Sequence, residues 1–299
     1  MSELDFPLPS GYGWQYHLLL WLQSFHSPIL DQVARAVSFT GLEWFYMLVL
    51  PVLFWAVNRE IGLRLTYVFL TSMYVNAWTK VLFHVRRPTG VPGIRTDFAS
   101  SASGLSMPSG HAQGTLTFWW MVGAWAKRRW LWFVVLVLVF AIGVSRLYLG
   151  LHWPLDVLTG WAFGLAFAVV GWALGKWWSY RSYSFSIRLT MAIAFPLVLL
   201  LLHRDSTSAS YASLLLGIGS GAALEERWLN LRIDPVLWKR ISAAVIGIAG
   251  LIAVQWLIKW PQDTVFWEVL KGLLTGLWGT LLAPYVFELC GLYKKKDAD

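Results

Sequence analysis

Residues 130–177 read WLWFVVLVLVFAIGVSRLYLGLHWPLDVLTGWAFGLAFAVVGWALGKW. Two apolar runs, 130–148 and 154–177, are each close to the ~20 residues a helix needs to cross a hydrocarbon core. Five residues join them, so the two helices return antiparallel. Pro154 suits the first turn of the second helix. Polar groups break the apolar pattern only around this turn: Ser145 and Arg146 end one run, and His152 and Asp156 begin the next.

The same reading extends along the chain. Apolar stretches at 42–57, 61–84, 109–126, 188–203, 209–224, 241–259 and 265–290 are further spanning candidates, with 209–224 the weakest, being short and rich in glycine. Residues 14–25 are apolar but too short to span, which suits an interfacial helix; a second short helix is expected at 28–38. Of 299 residues 57% are hydrophobic and 13% charged, about half the charged share of a soluble domain. The mean hydropathy is positive. Twenty-one Trp suit a chain with two membrane–water interfaces, where the ring is apolar and its N–H stays wet. The fold class is all-α, a polytopic helical membrane protein.

A net charge of +8 raises nucleic-acid binding. The basic residues are scattered at hydrophobic boundaries rather than gathered on a soluble binding fold, so no nucleic-acid partner is expected. Membrane lipids are the expected surroundings. Cys290 is the single cysteine, so no internal disulfide can form. The first fourteen residues have no basic segment ahead of an apolar run, and no cleavable signal peptide is expected. Gly217 and Gly221 are four apart, as are Gly272 and Gly276, which permits close helix contact of an ordinary bundle kind.

If the spans alternate, fifteen of the twenty-four Lys and Arg share one face, among them Arg59, Lys127, Arg181, Arg240 and Lys294–Lys296. That face is expected to be cytoplasmic. Glu225, Glu226 and the Lys run read as ordinary charges there. The other face carries Arg146, His152, Asp156, Arg204, Lys259 and the long polar interruption 85–108, VRRPTGVPGIRTDFASSASGLSMP. Its Pro, Gly and Ser content forbids continuous helix, and loops of this length tend to be functional. Arg95 and Asp97 within it read either as a solvated pair or as a contact for a substrate headgroup.

Three polar clusters therefore meet on one side: Lys80 with Arg87 and Pro88, then Pro108-Ser109-Gly110-His111, then Ser145, Arg146, His152 and Asp156. Together they supply three fixed cations, two imidazoles, a carboxylate and a hydroxyl, a set suited to a tetrahedral phosphate. Arg87 and Arg146 offer planar donor forks and Lys80 a point charge. Ser109 stands at an N-cap, where free backbone N–H groups face an anion, and Gly110 permits close backbone approach. His152 and Asp156, four apart, suit an imidazole nucleophile supported by a carboxylate. His111 suits the acid–base work at the leaving oxygen. Ser145 reads as a backbone partner near a helix end. His84 is placed at the headgroup level, and His17, His26 and His203 have no chemical role. No cluster has metal-ligand spacing, so neither metal nor cofactor is expected.

Lys80-x6-Arg87-Pro88, Pro108-Ser109-Gly110-His111 and Ser145-Arg146-x5-His152-x3-Asp156 resemble the three-part signature of the type 2 phosphatidic acid phosphatase (PAP2) superfamily, with all eleven identities and spacings in place. The resemblance implies a metal-independent lipid phosphatase. His152 would attack phosphorus with support from Asp156, His111 would serve the leaving group, and Lys80, Arg87, Ser109, Gly110 and Arg146 would hold phosphate. The substrate class would be a lipid phosphate or diphosphate: phosphatidate, phosphatidylglycerol phosphate, a polyprenyl diphosphate or a sphingoid phosphate. The chain then divides into interfacial helices over 1–41, a PAP2-like core over 42–177 and a helical extension over 178–299. That extension is faintly similar to sphingosine-phosphate phosphatases and long bacterial members. Two departures stand out: no spanning helix opens the chain, and over a hundred residues follow the core. The rival readings are phosphotransfer by the same residues and membrane transport. A haloperoxidase, with its similar oxyanion pocket, is soluble and does not match this composition. Oligomeric state is not encoded legibly.

Overall fold

The computed structural model describes residues 11–203, 205–257 and 264–296. Arg204 and Lys259, expected on the face of the polar loop, lie outside these residues. The helices in chain order are α1 (Gly13–Ser24), α2 (Pro28–Phe39), α3 (Glu43–Val52), α4 (Arg59–Phe83), α5 (Gly110–Ala126), α6 (Arg129–Tyr148), α7 (Pro154–Arg181), α8 (Phe185–Leu202), α9 (Ser206–Trp228), α10 (Leu237–Leu257), α11 (Val265–Leu277) and α12 (Ala283–Leu289). Two three-residue strands, β1 (Leu231–Ile233) and β2 (Tyr293–Lys295), pair antiparallel. The chain is a polytopic helical membrane protein with additional C-terminal membrane helices.

Helix positions follow the apolar runs to within a few residues. Among the described residues five helices are long and apolar enough to cross a membrane: α6, α7, α8, α10 and the run Val265–Leu289. The 42–57 stretch, expected as a span by itself, is a ten-residue helix prolonged by a π-helical turn, Leu53–Val57. It reaches span length only when counted with α2 as one broken span. α4, α5 and α9 fall short for a physical reason. α5 has 17 residues, with Gln113, Thr115 and Thr117 fully buried. α4 carries Arg59, Glu60, Arg64 and Lys80, and α9 is built largely of Ser, Gly and Ala. Such helices bury small and polar side chains against protein rather than offering them to lipid.

The described chain forms two compact units, one comprising the residues up to Tyr46 with Val75–Val170, the other Met47–Tyr74 with the residues from Gly171 onward. The first holds α1, α2, α5, α6 and the facing parts of α4 and α7. Its core joins Tyr16 and Leu19 of α1 to Val91 and Ile94 of the long loop, Ala112 of α5, Leu147 of α6, and Trp153 and Val157 around the start of α7. α1 presents its Trp14 and Trp21 face outward and buries Gln15 and Gln23. Gln23 bonds the carbonyls of Arg95 (2.7 Å) and Tyr148 (3.0 Å) and receives the Arg95 N–H (2.9 Å). Ser27 caps α2 ahead of Pro28.

The second unit packs α9 between α8 and α11. A Cβ added at Gly217 would press on Leu273 and Gly276, and one at Gly276 on Ile218 and Gly217. The two four-spaced glycine pairs therefore meet as one close helix–helix contact. Glu225 is not an ordinary surface charge. It is buried, ion-paired with Arg59, and accepts the Leu231 N–H at 3.1 Å. Burial demands such pairing, since a lone buried carboxylate is strongly disfavoured.

Candidate active site

All eight signature side chains proposed for chemistry fall in the first unit, on four structural pieces. Lys80 ends α4, Arg87 opens the loop, Ser109 to His111 start α5, and Arg146, His152 and Asp156 flank the α6–α7 turn. α5 is held tightly against α7 by two glycines of the latter. A Cβ at Gly160 would lie 2.7 Å from the Ser109 carbonyl oxygen, and one at Gly164 would lie 2.6 Å from that of Gln113. The Ser109 N–H donates to the Asp156 carbonyl at 2.8 Å. Asn76 of α4 donates to the Gln113 side chain at 2.8 Å. These contacts bring the Pro108–His111 and His152–Asp156 clusters together.

At the centre lies His152, fully buried. Arg87 Nη1 is 2.9 Å from its Nε2. A guanidinium donates and cannot accept, so Nε2 presents its lone pair and the ring proton resides on Nδ1. Nδ1 faces Asp156 Oδ2 at 3.3 Å, and the same oxygen accepts the Trp153 N–H at 2.7 Å. Burial first, then the cations Arg87, Arg146 and Lys80, with His111 last, push the His152 imidazole well below its ordinary value of 6.5. Near neutral pH it is an uncharged base with its free nitrogen beside a guanidinium.

The remaining cations line the same space through loop carbonyls and hydroxyls. Arg87 also donates to the carbonyls of Leu151 (2.9 Å), Ser103 (2.9 Å) and Gly104 (3.0 Å). Lys80 Nζ donates to the Leu105 carbonyl at 2.9 Å. Arg146, completely buried, donates to Ser38 Oγ at 2.6 Å and Ser101 Oγ at 3.0 Å. Among the described residues its Nε and the Nε2 of His111 are buried polar atoms with no hydrogen-bond partner. His111 lies against the Gly41 backbone, where a Cβ would come 2.9 Å from its ring. Ser109 caps α5 loosely, its Oγ 3.5 Å from the Ala112 N–H.

One expectation in the polar loop is corrected. Arg95 and Asp97 do not pair with each other: Arg95 grips Asp31 of α2 with two bonds of 2.6 and 2.7 Å. Asp97 receives Arg35 at 2.6 Å. The loop is thus stapled to α2, and Tyr148 adds a bond to Asp31 at 2.6 Å. Ser145 bonds the Ile142 carbonyl (2.7 Å) and takes no part in the cluster. His84 is exposed, with a positive φ of 50°. His203 contacts Asp205 and Ser208 at the α8–α9 turn. Three contributors carry no motif: Ser106, which touches both His152 and Asp156; Ser38 and Ser101, which hold Arg146; and Gly160 with Gly164. Only the four-residue glycine spacing was available as a signal.

Comparison with known proteins shows the family. Residues 61–180 match the family described as the PAP2 superfamily. Residues 209–295 match that described as PAP2 superfamily phosphatase, transmembrane extension. The two matches together take in more than half of the chain, which belongs to the PAP2 superfamily. Its similar relatives include a dihydrosphingosine 1-phosphate phosphatase of Schizosaccharomyces pombe, 26% identical over 68% of this chain and 55% of that one. An undecaprenyl-diphosphatase of Sulfolobus acidocaldarius is 27% identical over 42% of this chain and 55% of that one. The chain thus spans about half the length of the curated relatives it matches. Among solved structures, Aquifex aeolicus LpxE is similar over 58% of this chain and 99% of its own, at 22% identity and a TM-score of 0.48.

Proposed function

We propose that the chain is an integral membrane lipid phosphatase working through a phosphohistidine on His152, without a metal. The observation that carries this reading is the orientation of His152: Nε2 with its lone pair toward Arg87, Nδ1–H toward Asp156. An imidazole held this way is a nucleophile aimed at whatever anion the guanidinium binds.

In the first step the Nε2 lone pair forms an N–P bond while the bond from phosphorus to the lipid oxygen breaks. His111 donates a proton to that oxygen. Asp156 stabilises the positive charge that develops on the ring. Lys80, Arg87 and Arg146, with Ser109 and the free N–H groups at Gly110, bind the phosphoryl oxygens and neutralise their charge in the transition state. In the second step water attacks phosphorus, His111 takes its proton, and the N–P bond breaks to return neutral His152 and release phosphate.

The catalytic part of this reading lies within 42–177, with 1–41 and 178–299 as flanking helical parts. The distribution of basic residues supports an extracytoplasmic site in a cell membrane, at headgroup depth, where a lipid enters laterally and water from the polar side. The names of the relatives favour a sphingoid phosphate or a polyprenyl diphosphate over the other candidate lipids. The test is phosphate release by the purified protein in detergent, with excess chelator, from those two lipids beside phosphatidate and phosphatidylglycerol phosphate. Chelator-resistant release, ranked across the panel and lost in His152→Ala and His111→Ala, is expected. A folded protein that releases phosphate from none of them contradicts the proposal.

A further inference from the structure

Ser106 lies outside the three signature clusters, three residues before Ser109, and is completely buried. Its main chain is fixed on both sides: its N–H donates to the Val85 carbonyl at 2.8 Å, and its carbonyl receives Lys80 Nζ at 3.4 Å. So anchored, its Oγ stands 3.2 Å from His152 Nδ1 and in a short hydrogen bond with Asp156 Oδ2.

The direction of each bond follows from the protons available. Arg87 can only donate, which leaves the His152 ring proton on Nδ1. A carboxylate can only accept, so the Ser106 hydroxyl hydrogen points to Asp156 Oδ2. The lone pairs of Oγ then face Nδ1–H, at a distance that rivals Asp156 Oδ2 itself, 3.2 against 3.3 Å. The other carboxylate oxygen, Oδ1, is buried without a partner. Every donor to this carboxylate therefore converges on one oxygen.

We propose that Ser106 is a positioning residue, a hydroxyl bridge that joins imidazole to carboxylate as Nδ1–H to Oγ and Oγ–H to Oδ2. The proposal rests on His152 as the working nucleophile. The bridge has two effects. It fixes the ring plane at a second point, so that Nε2 keeps its aim when a substrate oxygen draws Arg87 away. It also takes up part of the Asp156 charge through a charge-assisted bond. The imidazole faces Asp156 on one side and Arg87, Arg146, Lys80 and His111 on the other. Removing the hydroxyl lets the carboxylate act on the ring undiluted and raises the proton affinity of Nε2.

Histidine-labelled full-length protein in detergent micelles reports this by 15N NMR, with the His152 signals assigned from their loss in His152→Ala. In the parent, His152 is expected as the Nδ1-protonated tautomer, titrating well below 6.5. In Ser106→Ala its midpoint moves up by about one pH unit and the tautomers mix. Ser106→Thr, which keeps a hydroxyl, restores the parent signal. In turnover of dioctanoyl phosphatidate, Ser106→Ala lowers kcat about ten- to a hundredfold, the range seen when the outer partner of a working histidine is removed, with KM within about twofold. A parent His152 protonated on Nε2 overturns the proposal, and that reading needs no variant to fold. An unchanged tautomer and midpoint in folded Ser106→Ala overturns it equally. Neither spectrum depends on turnover, so a parent that releases no phosphate counts against the phosphatase reading alone.

Discussion

His152 shows how much one residue's surroundings decide. Buried among cations, it is held neutral, and the sign of the consequence for stability is fixed. The unfolded chain binds a proton near 6.5 while the folded chain resists it until well below. Stability is therefore full above that value and declines as pH falls beneath it. Thermal unfolding of the parent in detergent is expected to occur at lower temperature at about pH 5 than at about pH 7.5. His152→Gln, which has nothing to titrate there, loses less over the same interval; an equal loss in both would mean that other groups set the dependence. If the same nitrogen attacks phosphorus as proposed, initial rates measured across pH are expected to persist below 6.5 rather than fall away through it. His152→Ala should lower kcat by a factor of about a hundred or more, measured under single-turnover conditions; a smaller fall would place the attack elsewhere. At this scale the polar cluster was legible because charged, imidazole and hydroxyl side chains stand out where apolar helices end. Ser106 was not legible. It is one of five serines between Ser100 and Ser109, and only the fold shows which of them points at Asp156.

The next scale is that of helices and the loop they carry. α5 meets α7 across Gly160 and Gly164, with backbone on the far side of each. A side chain there must push the N-terminus of α5, and Ser109, Gly110 and His111 with it, away from His152. Gly160→Ala is expected to destabilise the protein by about 1–3 kcal/mol and to lower kcat. Gly279→Ala, where a Cβ meets nothing within 4 Å, should do neither. Equal effects of the two substitutions on melting temperature and kcat would contradict the close contact. The loop 85–108 depends on α1 and α2 in the same way. Its carbonyls receive Lys80 and Arg87, and its own position is set by Gln23, Asp31 and Arg35. Asp31→Ala should make the loop a preferred site of limited proteolysis and lower the melting temperature; a digestion pattern like the parent's would sink the staple. The apolar runs located the helices because lipid demands some twenty apolar residues in succession. α4, α5 and α9 meet that demand less fully, because their buried polar and small faces answer to neighbouring helices. Arg95 and Asp97 were misread for a related reason: adjacent opposite charges suggest each other as partners, and only the third dimension supplies α2.

At the scale of the whole molecule, the chain belongs to a membrane family, and the distribution of basic residues carries the proposal that the site faces away from the cytoplasm. The native Cys290, exposed at the end of α12, and a cysteine introduced by Ser100→Cys in the polar loop should lie on opposite sides. A membrane-impermeant maleimide added to intact cells is expected to label the introduced thiol, and Cys290 only after lysis. Labelling of Cys290 first would invert the orientation and bring the site to the cytoplasmic side. The extension beyond α7 was legible as apolar segments, yet its close packing through Gly217, Gly221, Gly272 and Gly276 and the buried Arg59–Glu225 pair needed the fold. The central claim is that a phosphoryl group passes through His152. Rapid acid-free quenching of the protein with a lipid carrying 32P in its terminal phosphate tests it most directly, in the presence of chelator and at early times of a single turnover. The account predicts protein-bound label that is stable to alkali, labile to acid, and absent from His152→Ala. Phosphate release by a parent that never carries label, or label that survives in His152→Ala, would contradict it.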